Sequence, residues 1–373
     1  MLKTRVRIPV MFCVLPIAMV LALGAVVNAP EAETVSDGLD RVVLSQYAKG
    51  AIHGGILVAE GNKVIYERAL GIADYDTGAT LEVNQRFTIN SQGKMFTAVL
   101  VMQLVEEGEL ALEQSLAEML PAYAHPRAGD ITLHHLLAHR SGLPDYFLRL
   151  VLAGVEGASE ASLHEMLDMV RGMDLDFEPG TMFHYSNTGY VLLGQIVEAK
   201  RGAPFAAAMQ RHLFGPLGMA DSEPAAAARG EGMPDYLSSD GRINGEPPTS
   251  YFGDGSEIST LRDMHRFMAA IGSEVLLEPA SWELMFKPHS LPTEVPEGAW
   301  PPPHMHPYGY GFSITELPFD STGSATAVGH GGAGFGSSNM AVRFLDSGRI
   351  VVNYNTVSKD PMLMDVILHL AGR

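Results

Sequence analysis

Two hydrophobic periods divide the chain. Near both ends apolar residues gather in short β-rich runs, whereas between them they recur at helical spacing. Gly55–Glu60 and Lys63–Arg68 form such runs, separated by Gly61-Asn62, a two-residue hairpin signal. Ser36–Lys49, ahead of them, is patterned as a helix. Toward the other end, Tyr308–Thr315, Ser337–Leu345 and Ile350–Asn355 read as strands, the last two joined by a turn at Asp346-Ser347-Gly348. A final helix is expected from about Pro361 to Leu370.

Between these runs a helix is expected to start at Ser91. Met95, Ala98, Val99, Met102 and Val105 follow the i, i+3, i+4, i+7 rule, and Gly108 is placed to close it as a C′ glycine. From about 109 to 221 the pattern is mostly helical, with helices at Ile131–His139 (Thr132 as N-cap), Ala161–Arg171, Tyr190–Lys200 and Phe205–Phe214. Residues 223–255 are rich in Gly, Pro, Ser and Ala and read as a long connection, followed by a helix at Ser259–Ile271. Pro288–Pro307 holds seven prolines with Trp300, His304 and His306, which excludes a helix or a central strand and leaves an extended surface loop. The expected fold class is therefore α+β. One antiparallel sheet is built from both chain ends and flanked by helices, with an all-helical lobe inserted at about 109–221.

Composition narrows the partners. With 46% apolar and 18% charged residues the 373-residue chain is globular, and its net charge of −18 argues against binding a nucleic-acid backbone. Lys3, Arg5 and Arg7 precede an uncharged run from Ile8 to Val27, a basic segment followed by an apolar one. Residues 1–29 are thus read as an export signal, either cleaved after Ala29 or kept as a membrane anchor. The domain proper is then 30–373, periplasmic or secreted. Cys13 is the sole cysteine and lies in the apolar run, so the mature domain can form no internal disulfide.

Three groups of residues carry candidate chemistry. Ser91 and Lys94 stand three apart at a helix start, so the amine can reach the hydroxyl and activate it as a nucleophile. The plain alternative is a helix cap followed by a solvated lysine. Tyr185-Ser186-Asn187 sits at a loop-to-helix junction, where a phenol could relay protons and an amide could orient the lysine, or where a cap could simply precede a helix. His330-Gly331-Gly332-Ala333 lies in a glycine run just ahead of a strand, where backbone N–H groups could face an oxyanion, or where the chain could merely turn.

Together, and in this order, the three groups resemble the penicillin-recognising serine hydrolases: class C β-lactamases, D-alanyl-D-alanine peptidases and related esterases. The resemblance extends to Leu136–Leu143, Pro179-Gly180, Tyr185–Tyr190, Pro216–Met219, Ser259-Thr260 and Asp263-Met264. It implies that Ser91 is acylated, that Lys94 and Tyr185 share the general-base task, and that Asn187 holds Lys94 and the substrate. It also implies substrate contacts at His330, Gly331 and Gly332, and an oxyanion hole from the N–H groups of Ser91 and Ala333. Tyr185 would need a cation to lower its pKa, and Lys94 is the candidate. No cofactor or metal is implied. The expected substrates are small esters, D-amino-acid peptides of the D-Ala-D-Ala type or, ranked lower, β-lactams. A non-catalytic peptidoglycan or ligand sensor that keeps the fold is the alternative.

The third group departs from the Lys-Thr-Gly of many β-lactamases. Histidine is mostly neutral at pH 7, and Gly331 supplies no hydroxyl for a substrate carboxylate. Glu178 is the nearest candidate for a separate deacylating glutamate, yet Pro179-Gly180 marks a turn there. Gly329, Gly331 and Gly334 match a dinucleotide fingerprint without the helix it needs, and His135 and His139 have zinc-ligand spacing without the accompanying glutamate. His53-Gly54-Gly55 copies the third group but leads the first β run, so it reads as a strand entry.

Overall fold

The computed structural model describes residues 34–74, 77–155, 163–224, 253–255, 257–295, 306–319, 323–334, 337–356 and 362–371. The amino-terminal basic and apolar run, most of the 223–255 connection and residues 296–305 of the proline-rich loop lie outside them.

Strands β1 (Gly54–Glu60) and β2 (Lys63–Leu70) form the expected hairpin, with Gly61 in its loop at φ 54°. Strand β3 (Ile72–Asp74) pairs with β4 (Ala79–Thr80), and β5 (Phe87–Thr88) pairs with β6 (Ile258–Ser259). Strands β7 (Ser313–Phe319), β8 (Gly323–Gly334), β9 (Ser337–Phe344) and β10 (Arg349–Asn355) complete a six-stranded antiparallel sheet of order β2-β1-β10-β9-β8-β7. The two ends of the chain do share one sheet: Gly54 faces Asn355 and Glu60 faces Arg349.

Both faces of the central strands are covered, which is why β1 is continuously apolar and not alternating. Leu57 and Ala59, with Ile350, Val352 and Tyr354, turn toward the core shared with the helical lobe. Ile56, Val58 and Val351 turn the other way, against Leu39 and Val43 of helix Val35–Ala48 and Val366, Ile367 and Leu370 of helix Met362–Ala371. The lobe itself contains helices Leu133–Leu137, capped by Thr132, Leu163–Arg171, and Asn187–Arg201, capped by Ser186 and ended by Gly202 at φ 61°.

Three expectations need correction. The helix expected from Ser91 starts at Gly93 and runs to Glu106, buried from Gly93 through Met102 and again at Leu104 as a core helix. Ser91 precedes it, in the 3₁₀ turn Asn90–Gln92. The strand expected at Tyr308–Thr315 starts at Ser313 and runs to Phe319, and the glycine run around His330 lies inside β8, not ahead of a strand. Glycine disfavours strands by propensity, but here β8 and β9 meet closely: a Cβ on Gly329 would fall 2.0 Å from the Ala341 carbonyl oxygen.

Candidate active site

The nucleophile turn sits at the seam between sheet and lobe. Asn90, at φ 50°, and Ser91 follow β5 directly, and Gly93 starts the buried helix. Strand β8 reaches beyond its edge partner: β7 pairs with β8 only as far as Ser313–Gly329, whereas β9 continues alongside to Gly334. Residues 330–334 therefore have a ladder neighbour on one side, and their other side approaches the Ser91 turn. The approach is close, since a Cβ on Gly332 would lie 2.3 Å from the Ile89 carbonyl oxygen. The Asn90 amide donates to Ser337 Oγ at 3.0 Å, tying the turn to the sheet.

Lys94 is completely buried, and its ammonium has three acceptors: Ser91 Oγ at 3.2 Å, Asn187 Oδ1 at 2.8 Å and the Asp254 carbonyl at 2.6 Å. The Asn187 amide is oriented by the network, because its Nδ2 donates to Asp145 while its oxygen faces Lys94. Asp145, itself buried, also accepts the backbone N–H groups of Asn187 and Leu148. Burial lowers Lys94 to about 8, with the negative charge of Asp254, Asp145 and Glu257 opposing the fall.

The Tyr185 hydroxyl faces Ser91, and the Lys94 ammonium lies 4.8 Å from the centre of its ring. Its pKa is nevertheless raised well above the ordinary phenol value, because burial outweighs everything else. The expectation that Lys94 would lower it fails: near-complete desolvation of a phenolate costs more than one neighbouring ammonium returns. His139 backs Tyr185, its ring 4.4 Å away, and its Nδ1 accepts the Ser186 N–H at 3.0 Å. His135 Nδ1 likewise accepts the Thr132 N–H, so both histidines with zinc-like spacing serve local caps and packing.

His330 is buried at the seam. Its Nδ1 faces the Gly331 carbonyl, which only accepts, so that nitrogen carries the proton. Its Nε2 lies 3.0 Å from the Tyr308 hydroxyl, whose pKa burial raises well above the ordinary value. Glu178, by contrast, is 67% exposed and paired with Arg127 at 2.6 Å, a surface contact away from any nucleophile.

The sequence reading missed Asp145, Asp254 and Glu257. Asp254 sits in Gly253-Asp254-Gly255, and that triplet was a signal. A Cβ at 255 would fall 2.2 Å from the Asn90 carbonyl, and one at 253 would fall 2.6 Å from that of Tyr190. A separate groove of about 570 Å³ on the lobe, between Tyr123, Asp168, Arg171 and Glu198, shares no lining residue with the Ser91 site.

The β-lactamase family model matches residues 39–362. Penicillin-binding protein 4* of Bacillus subtilis is 28% identical over 343 residues, 87% of this chain and 72% of that protein. Esterase EstB of Burkholderia gladioli is 32% identical over 205 residues, so the match spans 51% of this chain and about half (52%) of the esterase. The crystal structure of a penicillin-binding protein from Bacillus halodurans superposes with a TM-score of 0.72 at 25% identity, covering 88% of this chain and 98% of that one. With the match running through both sheet halves and the lobe, the chain belongs to the β-lactamase family, the penicillin-recognising serine hydrolases.

Proposed function

We propose that this hydrolase cleaves carboxylic esters or D-amino-acid peptides through an acyl-enzyme on Ser91, with Lys94 as the base. The observation that carries this is the partner set of Lys94. Two of its three acceptors, Asn187 Oδ1 and the Asp254 carbonyl, can only accept. When the amine loses a proton it keeps its N–H bonds to those two, and the lone pair faces Ser91 Oγ. A lysine titrating at about 8 is suited to this near neutral pH, whereas Tyr185 stays protonated.

Ser91 Oγ attacks the substrate carbonyl carbon, and its proton passes to Lys94. The carbonyl oxygen takes the negative charge beside the N–H groups of Ser91 and Ala333. As the tetrahedral intermediate collapses, the bond to the leaving group breaks. Tyr185 delivers a proton to the departing oxygen or nitrogen and is reprotonated from Lys94. Water then attacks the acyl-enzyme by the same relay in reverse. Asn187 holds Lys94 in place, and His330, Gly331 and Gly332 line the substrate's side. Histidine at 330 beside Gly331 provides neither the permanent cation of a lysine nor a hydroxyl for a carboxylate, which ranks β-lactams below esters and peptides. Residues 1–29 direct the chain out of the cytoplasm, ahead of a hydrolase domain at 30–373.

Intact-mass spectrometry after a fluorophosphonate or penicillin probe tests the reading. A single adduct that disappears in Ser91→Ala is expected. No adduct under any probe would instead support the ligand sensor. Turnover of p-nitrophenyl butyrate, a D-Ala-D-Ala peptide and nitrocefin then ranks the substrates, and nitrocefin as the best of the three would overturn the order.

A further inference from the structure

Beside Lys94 and the nucleophile turn lie two buried carboxyl groups that the acyl-transfer scheme does not use. Asp254 is 6% exposed and Glu257 is 1% exposed. The segment holding them is pinned to the nucleophile turn at four points. Thr97 donates to the Gly253 carbonyl, Lys94 to that of Asp254 and the Ile89 N–H to that of Glu257, and β5 pairs with β6 immediately beyond. The Tyr146 hydroxyl donates to Asp254 Oδ2, while Oδ1 has no protein partner among the described residues. Glu257 Oε2 has none either, and it lies against Gly93, where a Cβ would fall 1.9 Å away. Glycine at the position just before Lys94 thus leaves room for an acid under the helix start.

Such groups are costly to bury unless their charge is used. We propose that Asp254, with Glu257 behind it, is a positioning residue that sets the charge of Lys94. Its carbonyl holds the amine in line with Ser91, and its carboxylate keeps the amine protonated at rest. The charged and titratable groups facing Lys94 are Asp145 from the lobe, Asp254 and Glu257 from this segment, and Tyr185 and Tyr190 from the second motif. Those facing Asp254 are Lys94, Tyr146, Asp145, Glu257 and Tyr185. Burial raises Asp254 to about 6 and Glu257 to about 7, with Lys94 and backbone N–H groups opposing the rise, so both acids change charge just below the range in which Lys94 does.

This rests on Lys94 being the base, and it fixes a sign. Removing the Asp254 charge lowers the Lys94 pKa, so the amine is neutral at a lower pH. The rising limb of kcat/KM then moves toward acid, by about one pH unit for a close opposite charge, and activity at pH 6 relative to the plateau rises about tenfold. The experiment is the pH profile of p-nitrophenyl butyrate hydrolysis by Asp254→Asn, with Glu257→Gln and Tyr146→Phe as companions. Tyr146→Phe takes away the hydrogen bond that favours the Asp254 carboxylate, so it moves the limb the same way. Glu257→Gln moves it less. A segment that merely props the turn would lose activity equally at every pH, and an unmoved limb, or one displaced toward alkali, overturns the proposal. If Asp254→Asn does not fold, the two companions decide alone. Ser91 labelling of each variant separates this outcome from failure of the hydrolase reading, in which the unaltered chain also gives no adduct.

Discussion

Gly332 offers the sharpest test of how β8 serves the site. A Cβ there would lie 2.3 Å from the Ile89 carbonyl oxygen and 3.0 Å from Asn90 Cβ, where an ordinary carbon–oxygen contact is about 3.3 Å. Gly332→Ala must therefore push the strand and the nucleophile turn apart by about 1 Å. The backbone at 332 is not in the left-handed region, so the perturbation is steric and nothing else. Overpacking of this kind costs about 1–3 kcal/mol of stability. A displacement of about 1 Å between attacking atom and oxyanion donors costs about 100-fold in rate. Gly331→Ala is the steric control: it leaves the backbone that lines the substrate in place, and its Cβ would press only on the end of the Met340 side chain, at 3.3 Å, which can turn aside. The assay is kcat/KM on an activated ester at a temperature where both variants are folded, beside their melting temperatures. We expect Gly332→Ala to lose about two orders of magnitude in rate with a drop of a few degrees in Tm, and Gly331→Ala to stay within a few-fold of the unaltered chain. Equal activities for the two variants would refute the claim that strand and turn must touch.

With Lys94 at about 8, kcat/KM of the unaltered chain rises through that pH, because the amine must be neutral to accept the serine proton; a flat profile from 6 to 9 contradicts it. Lys94→Arg places a guanidinium that keeps its proton, so kcat/KM falls by about 10²–10⁴ and the rising limb disappears; a surviving limb assigns it to another group. Glu178→Gln breaks only a surface pair with Arg127, and deacylation measured after a penicillin burst stays within about two-fold. Glu257, raised to about 7 by burial, binds its proton more tightly in the folded than in the unfolded chain. Its contribution to stability is therefore full below the ordinary carboxylate range and lost as the pH climbs through 7. The melting temperature of Glu257→Gln should gain on that of the unaltered chain between pH 5 and 8, and a constant difference would refute this.

The parts of the fold visible in the sequence were those where one period dominates. Gly61-Asn62 between two β runs could hardly be anything but a hairpin, and Ser186 ahead of an apolar helix behaves as the cap it resembles. Ser91, Lys94 and Asn187 were legible because chemistry restricts residue type: an amine that must reach a hydroxyl and an amide has few substitutes, and the structure brings Ser91 and Asn187 both within 3.2 Å of the Lys94 nitrogen. Strand β8 was not legible. Its glycines answer to a neighbour distant in the chain, Gly329 to Ala341 and Gly332 to Ile89, and propensity counts them only as breakers.

The acids were hidden for a related reason. Asp145, Asp254 and Glu257 look like ordinary surface carboxylates in a chain of net charge −18, and only burial changes their meaning. What exposes them is the glycine around them, since Gly93, Gly253 and Gly255 each occupy a spot where a Cβ would strike backbone or carboxylate. A backbone packed that tightly around a lysine excludes water, and a lysine without water must be charged by something in the protein. The two-residue motif alone therefore does not set the charge of Lys94. The carboxylates that bear on it come from a segment pinned to the same helix and strand as the nucleophile turn, residues 253–255 and 257–259.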